Sequence, residues 1–264
     1  MIFDEIDGLV CDLDGVVYRG DEAVAGSVEA LTELTERGVR ILYCTNNSRS
    51  TVDAYLEKLR GLRVPAEREQ ILTSAVATAE TLAERGLAPG PVLAIGGEGV
   101  EEELARVGFD LGSGDPPELV VVGWDPSFDY DAMRRATLAV RAGATLIATN
   151  ADASFPAAGG ALWPGAGAIL ASIETASGAS AEVMGKPHPP MMDLIEHRFD
   201  GARAIAAVGD RPETDLAGAR SKGWRTVLVL TGVVAAPEVA GLEHRPDAVA
   251  RDLAAAVRGE FQDQ

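Results

Sequence analysis

Gly8-Leu9-Val10-Cys11-Asp12-Leu13-Asp14-Gly15 runs four apolar or small residues into two carboxylates and a glycine. A short apolar run bounded by a turn signal suits a fully buried strand of a parallel sheet. The acids then fall where such a strand ends, and Gly15 permits the sharp turn that exposes them. If the backbone stays extended, Asp12 and Asp14 share one face. The same stretch also reads as a surface turn with two solvated acids, because Asp and Gly are common turn residues. An EF-hand loop is excluded, since Gly15 comes too early for it.

Three further segments repeat the pattern of an apolar run, a polar tip and a helix. Thr45-Asn46-Asn47-Ser48 follows Ile41–Cys44, Lys186-Pro187 opens a later segment, and Gly209–Asp215 follows Ala204–Val208. In an open α/β sheet such strand ends converge on one crevice, where ligands bind. Alternating strand and helix patterns along most of the chain signal βαβ units and a mostly parallel sheet. Helices are expected at Ser27–Arg37, ending at Gly38, and from an N-cap at Ser50 through Leu59. Others are expected at Ala75–Arg85, Val100–Val107, Tyr130–Arg141, Gly167–Thr175 and Glu213–Lys222, with one more near the C terminus. Strands are expected at Val39–Cys44, Val92–Ile95, Leu119–Val122, Thr145–Ala148 and Thr226–Leu230. The economical organisation is a discontinuous core of residues 1–74 and 184–264, with residues 75–183 inserted as a second α/β domain.

Each segment has a chemical and a plain reading. Two acids at a strand tip suit divided labour, one as nucleophile and metal ligand, the other as proton carrier. For Asp14 to give up a proton near neutrality, burial and neighbouring carboxylates must raise its pKa against the pull of a bound cation. Thr45 and the backbone N–H groups after it can hold phosphate oxygens, or they can simply cap a helix. Lys186 can serve as a compact point charge for phosphate, or be a solvated lysine. Asp210 can ligate Mg²⁺ with Asp215 supporting it one turn on, or both can complement a helix dipole. Gly96-Gly97-Glu98-Gly99 lacks the dinucleotide fingerprint spacing and reads as a strand-to-helix turn. His188, His197 and His244 show no metal or triad spacing and read as structural or surface residues.

Composition bounds the partners. The 264 residues carry a net charge of −18 and are 47% hydrophobic, enough for a folded core. That charge argues against a nucleic acid polymer, which needs a basic footprint. Lysine occurs only at Lys58, Lys186 and Lys222. Scarce lysine with abundant Asp and Glu suits a salt-rich cytoplasm, where screening relieves self-repulsion; an acidic protein of a GC-rich genome reads the same way. Asp4, Glu5 and Asp7 interrupt any leader pattern, and Gly232, Pro237 and Glu238 interrupt the apolar stretch near Thr226–Leu242, so a cytoplasmic protein without a membrane span is expected. Cys11 and Cys44 read as small buried hydrophobes.

Taken together the four segments resemble the signature of the haloacid dehalogenase superfamily of phosphohydrolases, in its para-nitrophenylphosphatase and nucleotidase-like branch. Leu13–Gly20, Val121–Asp125, Ala148–Asp152, Pro164–Ala168 and Leu228–Gly232 all match that branch's patterns. The resemblance implies an α/β, Rossmann-like parallel-sheet core with an inserted α/β cap. It implies Asp12 as the nucleophile forming an aspartyl phosphate, and Asp14 as the general acid and then the base. Mg²⁺ would be held by Asp12, the Asp14 carbonyl and Asp210, with Asp215 behind. Thr45, Asn46 and Lys186 would bind the phosphoryl group, and Asn150 and Asp152 of the cap would face the leaving group. The implied substrate is a small phosphorylated metabolite, and a homodimer is the implied assembly. A phosphotransferase or phosphomutase using the same intermediate, and a non-catalytic two-lobed binding protein, are the alternatives.

Overall fold

The computed structural model describes residues 2–112, 116–156, 161–243 and 245–262. The chain folds into two compact units. The first comprises Met1–Thr45, Asp53–Leu72 and Met192–Gln264; the second comprises Asn46–Val52 and Thr73–Met191. Residues 46–52 and 184–191 thus pack with the second unit, whereas the sequence reading grouped them with the first.

A six-stranded sheet forms the first unit, in the order Ala248–Ala250, Arg225–Val229, Ile205–Gly209, Gly8–Asp12, Arg40–Thr45, Ile71–Thr73. Gly8–Asp12 pairs in parallel with Arg40–Thr45 on one side and with Ile205–Gly209 on the other. Every residue of Gly8–Asp12 is buried, which is why its sequence is continuously apolar and not alternating. Chain order reverses on the two sides of this strand, so a topological switch point lies between Gly8–Asp12 and Ile205–Gly209. Cys11 registers with Val208, which brings Asp12 and Asp210 to the same carboxyl end of two adjacent strands.

The expected Ser27–Arg37 helix spans Ser27–Glu36 and stops where Gly38 takes a φ of 81°. That left-handed turn costs a glycine nothing, as expected of a C′ residue. The second helix runs Val52–Gly61, so Ser50 lies too early to be its cap. After Ile205–Gly209 the expected Glu213–Lys222 helix is split. It opens as one wide π turn at Pro212–Leu216 and tightens to α at Ala217–Ser221. Such π turns concentrate at functional sites.

The second unit is a four-stranded parallel sheet in the order Glu182–Val183, Thr145–Ala148, Leu119–Val122, Val92–Ile95. Leu119–Val122 is wholly buried, and its alternate residues feed two separate cores. Val121 packs with Ala75, Ala79, Leu82, Val100 and Leu104, from helices Ser74–Glu84 and Glu98–Arg106. Val120 and Val122 pack with Ala136, Val140, Leu170 and Ile173, from helices Tyr130–Arg141 and Ala166–Ser177. Thr73 caps the first of these helices by accepting the Val76 N–H at 3.1 Å. The glycines after Val92–Ile95 do form a strand-to-helix turn. Gly99 donates to the Arg49 carbonyl at 2.8 Å, and a Cβ at Gly97 or Gly99 would overlap the Arg49–Ser50 backbone. Among the described residues no helix is long and apolar enough to cross a membrane. His197 is exposed and His188 half-buried, while His244 lies outside the described residues.

Candidate active site

At the switch point of the first unit, Asp12, Asp210 and Asp215 each offer a carboxylate oxygen, all within 4.8 Å of one another. All three are at least nine-tenths buried. Like charges gathered at such distances repel strongly when desolvated, so the cluster calls for a cation. Oxygen donors alone, with no imidazole or thiolate among them, suit a hard divalent ion such as Mg²⁺.

Close packing of backbone fixes these carboxylates. Asp210 accepts the Val233 N–H at 2.9 Å. A Cβ placed on Gly15 would come within 2.6 Å of the Asp210 carboxylate, and one on Gly232 would overlap it outright. Gly15 also needs glycine for its φ of 82°. Thr231 donates its hydroxyl to the Gly15 carbonyl, tying the loop after Arg225–Val229 to the turn after Gly8–Asp12. The π turn carries Asp215 back over the strand tip, where it accepts the Arg211 N–H at 3.1 Å and leaves no room for a Cβ on Gly209.

Asp14 stands apart from this cluster. It is exposed, whereas the sequence reading expected it to be buried. The turn at Gly15 rotates the chain so that Asp14 projects from the sheet tip and Leu13 goes into the core at 0% exposure. Beside Asp14 lies Tyr18, buried at 1% exposure. Burial pushes the Tyr18 phenol far above its ordinary value, and the carboxylate of Asp14, then Tyr55 and Asp12, push it the same way. Thr45 ends the Arg40–Thr45 strand buried, one residue beyond Cys44, which registers with Asp12.

The remaining expected residues gather in the second unit. Asn46 donates from Nδ2 to the Asp152 carboxylate at 3.2 Å and to the Lys186 carbonyl at 3.0 Å. Its Oδ1 is buried and accepts no hydrogen bond among the described residues. Asn150 donates to the Asn46 carbonyl at 2.7 Å and accepts the Asp152 N–H at 3.1 Å. Lys186 and Asn150 are each 4% exposed, while Asp152 is half-buried. Gly185 allows this approach, because a Cβ there would crowd Asn46 Oδ1 and the Thr149 carbonyl. Burial lowers the His188 pKa, with Asp152 opposing.

The structure therefore brings Asp12, Asp210 and Asp215 together in one unit and Asn46, Lys186, Asn150 and Asp152 in the other. Tyr18, Gly232 and Val233 were not singled out as site residues from the sequence. Only the place of Tyr18 and Gly232 inside quoted motifs pointed toward them.

The chain is similar to known proteins over most of its length. A family model described as haloacid dehalogenase-like hydrolase matches residues 9–110, and an HAD-hydrolase-like model matches residues 183–256. The acid sugar phosphatase of Staphylococcus aureus is 36% identical over 248 residues, 93% of this chain and 95% of that protein. The glycerol phosphate phosphatase of Mycobacterium tuberculosis, solved in complex with magnesium, superposes with a TM-score of 0.88 at 37% identity, over 99% of this chain and 78% of that one. The 4-nitrophenylphosphatase of Thermotoga maritima superposes with a TM-score of 0.91 at 30% identity, over 98% of both chains.

Proposed function

We propose that this chain, which belongs to the haloacid dehalogenase-like hydrolase family, is a Mg²⁺-dependent phosphomonoesterase acting on a small phosphorylated metabolite. The observation that carries the proposal is the buried trio of Asp12, Asp210 and Asp215 carboxylates at the sheet's switch point. Relatives named for sugar phosphates and glycerol phosphate favour a phosphorylated sugar or polyol as the substrate.

In this reading Asp12 attacks phosphorus in line and becomes an aspartyl phosphate, while the alcohol departs from the opposite side. Asp14, exposed two residues beyond Asp12, gives the leaving oxygen its proton and later takes one from the attacking water. Asp12, Asp210 and the Asp14 carbonyl would hold Mg²⁺, with Asp215 behind; bound there, the ion neutralises charge on the phosphoryl oxygens. Asp210 and Asp215, gripped by backbone N–H groups and glycines, stay in place without reorganising as charge shifts, which is where most such stabilisation arises. Thr45, Asn46 and Lys186 are the proposed phosphoryl-binding groups. Asp152 is the proposed leaving-group contact, with Asn150 holding its loop. We assign residues 1–74 and 184–264 to the catalytic core and 75–183 to the cap, and place the protein in the cytoplasm, at high salt, as a homodimer.

The test is phosphate release by the purified protein from glycerol phosphate, sugar phosphates and nucleoside monophosphates, with Mg²⁺ and with excess chelator. Release from at least one monoester that stops under chelation supports the reading. Full release in chelator, or transfer to a second sugar in place of water, overturns it.

A further inference from the structure

Tyr18 has no part in the chemistry derived so far, yet its surroundings are specific. The turn after Asp12 closes tightly: Val17 N–H donates to the Leu13 carbonyl at 2.9 Å, and Gly15 N–H donates to the Tyr18 carbonyl at 2.8 Å. Asp14 and Tyr18 thereby form an isolated bridge, side by side. The Tyr18 ring is buried at 1% exposure, and the Lys58 ammonium lies 3.7 Å from its centroid. A cation over the aromatic face and a buried ring fix the plane and leave the hydroxyl little freedom. Tyr55, from the same Val52–Gly61 helix as Lys58, is a near neighbour of the phenol.

We propose that Tyr18 is a positioning residue for Asp14: its hydroxyl donates to one oxygen of the Asp14 carboxyl and so aims the other oxygen at the leaving group. The inference rests on the proton-transfer role proposed above for Asp14. An exposed carboxyl samples several rotamers, and one hydrogen bond from a fixed phenol selects among them. With one oxygen accepting from Tyr18, the acid proton sits on the oxygen turned away. As the ester P–O bond breaks and the Asp12–phosphorus bond forms, that proton passes to the departing alkoxide. The carboxylate left behind then takes a proton from water in the second half-reaction. Tyr18 keeps its own proton throughout, and Lys58 supports the ring without touching substrate.

A stable leaving group does not need the proton, so the role shows in the dependence on leaving group. The experiment measures kcat/KM, which covers the steps through aspartyl phosphate formation, for glycerol phosphate and for p-nitrophenyl phosphate. Wild type, Tyr18→Phe and Asp14→Asn are compared in saturating Mg²⁺. Tyr18→Phe is expected to lose about tenfold more on glycerol phosphate than on p-nitrophenyl phosphate, a fraction of the 10²–10⁴ usual for general acid catalysis. An equal loss on both substrates would mean the phenol only packs, and would overturn the proposal, as would no loss at all. A flat response of Asp14→Asn would instead remove the proton-transfer role on which the inference rests. A wild type inactive on both substrates would remove the phosphatase reading itself. Should Tyr18→Phe fail to fold, Lys58→Met carries the test: the same substrate bias supports the clamp, and its absence overturns it.

Discussion

Gly232 lies so close to the Asp210 carboxylate that no side chain fits between them, and the next residue, Val233, donates its N–H to that carboxylate at 2.9 Å. The loop after Arg225–Val229 is therefore built around Asp210. In Gly232→Ala the new methyl must displace either the loop or the carboxylate. We expect about 1–3 kcal/mol of lost stability, the usual cost of overpacking. Half-saturating Mg²⁺ should rise as well. A urea titration and a metal titration of activity on the same preparation check both; unchanged values in both would mean that the loop gives way freely.

Asp12 is the proposed nucleophile, and its replacement should be the most damaging. Asp12→Asn keeps the size of the side chain and removes its ability to attack phosphorus. Turnover should fall by on the order of 10³-fold or more, as when other nucleophiles are removed. A folded Asp12→Asn protein releasing phosphate at near the wild-type rate would refute the assignment.

Asp215 touches the cluster from the π turn. Asp215→Asn should weaken Mg²⁺ activation by about 10–100-fold, the range seen for supporting groups around metal ligands. The readout is the Mg²⁺ concentration for half-maximal activity, with kcat at saturating Mg²⁺ recovering much of its value. Activity independent of metal in either protein contradicts the whole proposed site.

Asp252 caps the Leu253–Val257 helix by accepting the Ala255 N–H at 2.7 Å. Burial works to raise its pKa, but Arg251 and the Ala255 N–H outweigh burial and leave it below the ordinary carboxylate value. A carboxyl held lower in the folded protein than in the unfolded chain adds stability above the unfolded value, and loses it as pH falls through the folded one. Asp252→Ala should cost about 1 kcal/mol at neutral pH, as for other helix caps. The difference from wild type should shrink as the pH is lowered below about 4, the ordinary carboxylate value. Urea midpoints of both proteins across that range decide it.

The net charge of −18 supports one expectation for the whole molecule. If the acidic surface is adapted to a salt-rich cytoplasm, unfolding at low KCl should occur at a distinctly lower temperature than at molar KCl, where self-repulsion is screened. Equal midpoints would favour the plain compositional reading.

Much of this was legible in the chain because the central strands are buried on both faces. Gly8–Asp12 and Leu119–Val122 have no solvent side, so their apolar runs stand out, and the acids mark the strand ends. The helix expected near Tyr130–Arg141 forms there, and Asp129 caps it by accepting the Ala132 N–H. Short edge pieces were not legible. Ile71–Thr73, Glu182–Val183 and Ala248–Ala250 are too brief to show a period, and their partners are set by tertiary packing. The Pro189–Arg198 helix opens on two prolines and was not among the expected helices. The π turn was hidden as well, since nothing in Pro212–Leu216 departs from an ordinary helix start. The exposure of Asp14 could not be read off either, because it depends on how far the Gly15 turn rotates the backbone.

The strand that carries Asp12 pairs with Ile205–Gly209, which is synthesised only after every strand of the second unit's sheet. Until Ile205–Gly209 has been made, the middle of the six-stranded sheet is an open edge of unpaired amides beside apolar side chains. Exposed edges of that kind recruit other chains. Premature termination before Ile205 should therefore give aggregating fragments, and nascent chains should depend on chaperones late in synthesis.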